Sequence, residues 1–129
     1  MIEAEEAHDS RTMVSVLDAI EQLSRLRARY AEHKLDDVAW ELLLELLRAE
    51  RGELKLSVSA LTISVPGVSA TTSLRRIGEL QSRGFVARTA DEKDRRRDFV
   101  ALTPIARTLL ADYLARVDSC LADIHRDSD

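Results

Sequence analysis

Hydrophobic positions along the chain fall into stretches of helical period, with two short strand candidates in the second half. From about Ser10 to Glu32, Met13, Val16, Leu17, Ile20, Leu23, Leu26 and Tyr30 recur in steps of three and four. That spacing lines them along one stripe of a long amphipathic helix. Asp9 or Ser10 offers a cap, and residues 1–9 are expected to fray. The other face carries Asp18, Glu21, Arg25, Arg27 and Arg29, so the apolar stripe needs a partner to cover it. Lys34-Leu35-Asp36 breaks the pattern, and Asp36 reads as the N-cap of a second helix that runs to about Glu50 and ends at Arg51-Gly52. Val38, Ala39, Trp40, Leu42, Leu43, Leu44, Leu46 and Leu47 make this helix apolar on nearly every side, the pattern of a central helix.

Residues 57–64 form a short helix capped by Ser57, with Val58, Leu61 and Val65 turned inward. Val65-Pro66-Gly67-Val68 is a turn by its proline and glycine. Ser69 then caps a helix that runs to about Arg83 and stops at Gly84. On a wheel centred on Ile77, Ala70, Ser73, Leu74, Leu80 and Gln81 fall on the inward side. Thr71, Thr72, Arg75, Glu79, Ser82 and Arg83 fall on the outward side, with Arg76 and Gly78 at the margins. Gly78 inside a helix costs about 1 kcal/mol relative to Ala, which a close approach of a neighbouring element would explain. Phe85–Thr89 and Asp98–Leu102 are short strands joined by the charged tip Asp91-Glu92-Lys93-Asp94-Arg95-Arg96-Arg97. Thr103 caps a last helix with Pro104 at its first position. Along it Ala106, Leu110, Tyr113, Val117, Cys120 and Ile124 make a heptad-like seam flanked by Leu109, Leu114 and Leu121. The fold class is mainly α with a small β-hairpin (α+β). It divides into an N-terminal helix over 1–34, a helix-turn-helix-hairpin unit over 35–103, and a C-terminal helix over 104–129.

Composition agrees. The 129 residues are 45% hydrophobic, 33% charged and only 4% aromatic, which excludes a disordered chain and favours helices. No apolar run reaches the roughly 20 residues a bilayer span needs. The acidic start, MIEAEEAHDS, is not a secretory signal, and one cysteine cannot form an intramolecular disulfide, so a cytosolic protein is expected. The net charge of −4 is unevenly spread. Residues 1–50 hold 6 Lys/Arg and 12 Asp/Glu, whereas residues 69–107 hold 9 Lys/Arg and 5 Asp/Glu. A basic middle between acidic ends points to a localised anionic partner.

The basic stretch is a helix followed by a hairpin. A helix fits the B-DNA major groove, and its N-terminal half reaches base edges. Ser69, Thr71, Thr72, Arg75 and Arg76 are the candidate contacts there, while Arg95, Arg96 and Arg97 suit the minor groove or flanking phosphates. Taken singly, each arginine is more often a solvated charge; the case rests on their combination. Cys120 lies on the apolar seam with Asp118 and Asp123 nearby, and reads as a packed interface thiol rather than a redox sensor. His8, His33 and His125 have no metal-ligand spacing. Trp40 and Tyr30 read as core before they read as an effector pocket. No cofactor motif, nucleophile motif or paired catalytic carboxylates stand out, so no enzyme is expected.

Leu61, Leu74-Arg75-Arg76-Ile77, Leu80, Gly84-Phe85-Val86, Arg88, Asp91, Asp94-Arg95-Arg96, Leu102-Thr103 and Leu109-Leu110 resemble the MarR family of winged helix-turn-helix transcriptional regulators. The likeness covers about residues 36–112. Its most specific part is the DEKDRRRDFVALT wing, similar to the family's Asp-x-x-Asp-Arg-Arg wing followed by Leu-Thr and a helix. The resemblance implies a homodimer on pseudo-palindromic DNA, often responsive to a small-molecule effector, acting as a repressor or other regulator of transcription. It also implies that Thr71, Thr72, Arg75 and Arg76 lie on the recognition helix, that Arg95 and Arg96 are wing arginines, and that Asp94 orients one of them. Three departures are visible. The turn before the recognition helix is one residue longer than usual, and Ser73 stands where the family prefers an apolar residue. A single C-terminal helix is expected where members usually finish with two. The alternative function is a winged-helix protein–protein interaction module whose basic face docks an acidic partner.

Overall fold

A computed structural model describes residues 2–30 and 34–128, with side chains placed over 9–30 and 34–124. Glu32, His33 and the side chains of His8 and His125 lie outside the described residues. The elements are α1 (Ile2–Arg29), α2 (Asp37–Arg51), β1 (Leu56–Ser57), α3 (Val58–Thr62), α4 (Ala70–Ser82), β2 (Val86–Ala90), β3 (Asp98–Leu102) and α5 (Pro104–Ser128). They form two compact units. One spans Leu35–Leu110; the other combines α1 with α5 from Ala111 onward.

In the Leu35–Leu110 unit α2 is the centre, as its all-round apolarity demands. Trp40, Leu42 and Leu43 are fully buried, and α3, α4 and β3 all pack on α2. The sheet has the order β1-β3-β2 and is antiparallel throughout. The hairpin register runs from Val86 opposite Leu102 to Ala90 opposite Asp98. Strand β1, absent from the sequence reading, sets Leu56 opposite Val100 and Ser57 opposite Phe99. Two residues carry no periodicity, so nothing in the pattern could announce it. Ser57 both ends that strand and caps α3 by accepting the Ala60 N–H.

Short polar side chains close the helix starts. Asp36 accepts the Ala39 N–H at α2, and Ser69 accepts the Thr72 N–H at α4. The end of α4 is a Schellman motif: Phe85 N–H donates to Leu80 O (2.9 Å), Gly84 N–H donates to Gln81 O (3.1 Å), and Gly84 takes φ +80°. This closure moves the start of β2 to Val86. The same bonding closes α2, where Leu54 N–H donates to Ala49 O, but there Glu53, not Gly52, is left-handed at φ +57°. Thr103 donates its hydroxyl to Gly84 O (2.6 Å), fastening the start of α5 to the α4–β2 corner.

Two expectations for α4 fail. Its buried residues are Ser73, Ile77 and Leu80, whereas Ala70, Leu74 and Gln81 are exposed. Packing against α2 and α3 rotates the buried sector toward the Ser73–Leu80 side. Gly78 meets no neighbour: a Cβ built there has open space within 4 Å. No close approach requires it.

In the other unit α1 begins at Ile2, so residues 2–9 are helical and Asp9 and Ser10 lie inside the helix instead of capping it. Ala4, Ala7 and three glutamates are strong helix formers, and acidic residues suit a helix start. Tyr30 donates to Asp112 and packs edge-on against Tyr113 with ring centroids 5.4 Å apart. Burial lifts the Tyr30 phenol above its usual range, and the Asp112 carboxylate adds to the effect. Ala19, Leu26, Tyr30 and Tyr113 are buried, yet Met13, Val14, Val16, Leu17, Ile20, Leu114 and Leu121 remain exposed. Among the described residues no helix is long and apolar enough to cross a membrane.

Candidate nucleic-acid interface

The N-terminal half of α4 presents Thr71 and Arg75 to solvent. Ser69 and Thr72 are engaged with each other: Ser69 Oγ accepts the Thr72 N–H at 3.1 Å and donates to Thr72 Oγ1 at 2.9 Å. Arg75 has no ion pair among the described residues. Arg76 is placed differently. Its guanidinium is 24% exposed, with Nε 2.6 Å from Asp36 Oδ2 and Nη1 3.4 Å from Glu79. It thus ties α4 to the cap of α2. Burial alone would raise the Asp36 carboxyl, but the Ala39 N–H and the Arg76 guanidinium outweigh it and hold the carboxyl below 3.8. The same pair raises Arg76.

Two carboxylates organise the hairpin tip. Asp94 Oδ1 accepts the Arg96 N–H (3.1 Å) and Nε–H (3.0 Å), and Oδ2 accepts Nη2–H at 3.3 Å. Asp91, 5% exposed, accepts the Lys93 N–H at 2.9 Å and Arg97 Nε–H at 2.6 Å, while its own N–H donates to Arg97 O. The Arg97 guanidinium also lies over the Phe99 ring, 5.4 Å from its centroid. Arg97 holds the Asp91 carboxyl, and Arg96 the Asp94 carboxyl, below the ordinary carboxylate value. Arg95 is exposed and has no ion pair among the described residues. The tip therefore presents three guanidinium groups, two of them fixed in direction.

A groove of about 540 Å³ joins these parts. Thr71 and Leu74 of α4, residues of α3, and Arg88, Arg95, Arg96 and Arg97 of the hairpin line it. Two of its lining residues, Leu74 and Arg88, were not among the expected DNA contacts, and Asp91, which lies outside the groove, was not expected as the second tip organiser. Arg88 Nε is buried and has no hydrogen-bond partner among the described residues; its place among the residues of the resemblance was the available signal. A second concavity of about 800 Å³ lies between the C-terminal end of α2 and the sheet, with Leu46, Leu54, Leu56 and Phe99 among its walls. Trp40 and Tyr30 are both buried. Cys120 is half-buried, and among the described residues no group of three His, Cys, Asp or Glu is placed to hold a metal.

Neither a protein-family model nor a curated protein sequence matches the chain. Solved structures do. The transcriptional regulator PA3341 is 30% identical, with 87% of this chain and 79% of that one covered and a TM-score of 0.62. A MarR family transcriptional regulator from Silicibacter pomeroyi is 23% identical, with 86% and 70% covered and a TM-score of 0.63. The chain belongs to the MarR family of winged helix-turn-helix transcriptional regulators. In family terms α3 and α4 are the helix-turn-helix, with α4 the recognition helix, and β2–β3 is the wing. MepR of S. aureus, solved in a DNA complex, shares this fold at a TM-score of 0.67 and 15% identity, over 77% of this chain and 78% of that one.

Proposed function

We propose that this MarR-family regulator is a cytosolic homodimer that binds double-stranded DNA sequence-specifically, with α4 in the major groove and the wing arginines at the minor groove or phosphates. The observation that carries the reading is the groove. It gathers the exposed start of α4 and four hairpin arginines on one side of a chain whose net charge is −4. Local positive potential, set against acidic ends, suits a polyanion held in one register. Thr71 and Arg75 are the base-facing candidates; Ser69 and Thr72 are engaged in the cap, and the first-turn N–H groups of Ala70 and Thr71 are left for a phosphate. Arg88 joins Arg95, Arg96 and Arg97 as backbone contacts. Arg76, directed at Asp36, acts by holding α4 in place.

Selection from a random duplex library tests this against the protein-docking alternative. The expected result is a pseudo-palindromic motif with half-sites about one helical turn apart, bound with an affinity that falls as salt rises. Charge reversal at Arg75 and Arg96 together abolishes binding and leaves the dimer intact. A protein with no salt-dependent affinity for any duplex pool would sink the proposal.

A further inference from the structure

Leu74 breaks the burial rule of its own helix. Leu80, two turns on, is 2% exposed, whereas Leu74 is 47% exposed and lines the groove between α4 and the wing. The groove is lined there by Thr71, one turn earlier, by Val58 of α3, and by Arg88, Arg95, Arg96, Arg97 and Asp98 of the hairpin. Full burial of a leucine is worth about 1.5–3 kcal/mol, and Leu74, 47% exposed, forgoes about half of that here. Phosphates have no use for an isobutyl group either. A surface meant only for the DNA backbone would carry a polar residue at this position.

The strongly apolar feature of a B-DNA major groove is the C5-methyl of thymine. It is the chemistry that a leucine in the N-terminal half of a groove-bound helix can read. The adjacent Arg75 is exposed and suited to the O6 and N7 acceptors of guanine. Side by side, the two residues would distinguish neighbouring base pairs by different means, one by a methyl and one by paired acceptors.

We propose that Leu74 is a specificity-determining residue that packs on a thymine methyl in each half-site. The proposal rests on the DNA-binding reading above. Its test uses the full chain and the duplex recovered by library selection. Each thymine is replaced in turn by deoxyuridine, which removes only the methyl, and affinity is read by fluorescence anisotropy for wild type and for Leu74→Ala. Wild type should lose about fourfold at one thymine per half-site, the loss that corresponds to ~0.8 kcal/mol per buried methyl. Leu74→Ala should bind more weakly, keep the wild-type salt slope, and show no response to uracil at that position. Because Leu74 is exposed, the variant should melt like wild type, which circular dichroism checks. Uracil substitution without effect on wild type, or with an undiminished effect on Leu74→Ala, overturns the Leu74 assignment while DNA binding stands. Failure to recover any duplex overturns both.

Discussion

Arg75 and Arg76 are neighbours in sequence with different surroundings. Arg75 faces solvent, whereas Arg76 reaches the carboxylate that caps α2. Replacing Arg75 with Ala should weaken a selected duplex by about 1–3 kcal/mol, the worth of a bidentate base contact, and leave the urea midpoint unchanged. Arg76→Ala should lower the midpoint only slightly, since Asp36 is 46% exposed and solvent screens the pair. Asp36→Ala removes the cap as well and should cost about 1 kcal/mol more. The Asp36 carboxyl is held below its ordinary 3.8. Its contribution is therefore fully present above that value and lost as pH falls through the lower folded value. Equilibrium denaturation from pH 7 to pH 3 should show Asp36→Ala converging on wild type only at the acid end. Glycine placement is testable at the same scale. Gly78 sits in an ordinary helix position with open space around its α-carbon, so Gly78→Ala should stabilise by about 0.5–1 kcal/mol. Glu53 holds a left-handed backbone that disfavours a side chain by about 1–2 kcal/mol, so Glu53→Gly should not destabilise and should raise the midpoint. Unchanged or lower midpoints for both would contradict these assignments.

At the scale of elements, α2 to α5 were legible because each starts with a side chain that can cap: Asp36, Ser57, Ser69 and Thr103 were all readable before any fold was known, whereas the caps expected for α1, Asp9 or Ser10, lie inside a helix that begins at Ile2. The hairpin was legible from its charged tip. Strand β1 was not, because its two residues pair across the chain with Val100 and Phe99 and leave no local trace. The face of α4 was misjudged for a related reason. A wheel centred on Ile77 assumes a symmetric buried sector, but α2 and α3 cover only the Ser73–Leu80 side. The resemblance drew attention to Asp94, while the more buried organiser is Asp91, whose partner Arg97 lies six residues on. Asp91→Asn should therefore loosen the tip more than Asp94→Asn, seen as faster amide exchange at Lys93 and Arg97 and a larger loss of duplex affinity. Arg97 depresses the Asp91 carboxyl, so the wing pair should hold unchanged from pH 8 to pH 5 and come apart only below the ordinary carboxylate value of 3.8. A wing that loosens between pH 7 and pH 5 would mean that another group controls it.

For the whole molecule, the decisive fact is what α1 leaves uncovered. Five of its apolar residues, Met13, Val14, Val16, Leu17 and Ile20, are exposed together, and Leu114 and Leu121 are exposed on α5 in the same unit. A stripe of this kind in water is a cost unless another surface covers it, and runs of exposed large apolar side chains mark association sites. A second copy is the economical occupant, because a two-fold protein matches two half-sites on DNA. Leu17→Glu combined with Ile20→Glu would set charges in that face. Sedimentation is expected to show a dimer for wild type and a monomer for this variant, while the Leu35–Leu110 unit keeps its fold and its near-ultraviolet signal from Trp40. Duplex affinity should fall by 10²-fold or more, since linked half-site contacts become independent ones. The salt slope should roughly halve, because each monomer neutralises half the phosphates. That pairing of results separates an interface defect from a damaged DNA surface: charge reversal at Arg75 and Arg96 removes binding from an intact dimer, whereas the α1 variant retains a weak, half-sized footprint on a single half-site. Retention of the dimer by the double glutamate variant would place the subunit contact elsewhere, and the exposed stripe of α1 would then need another partner.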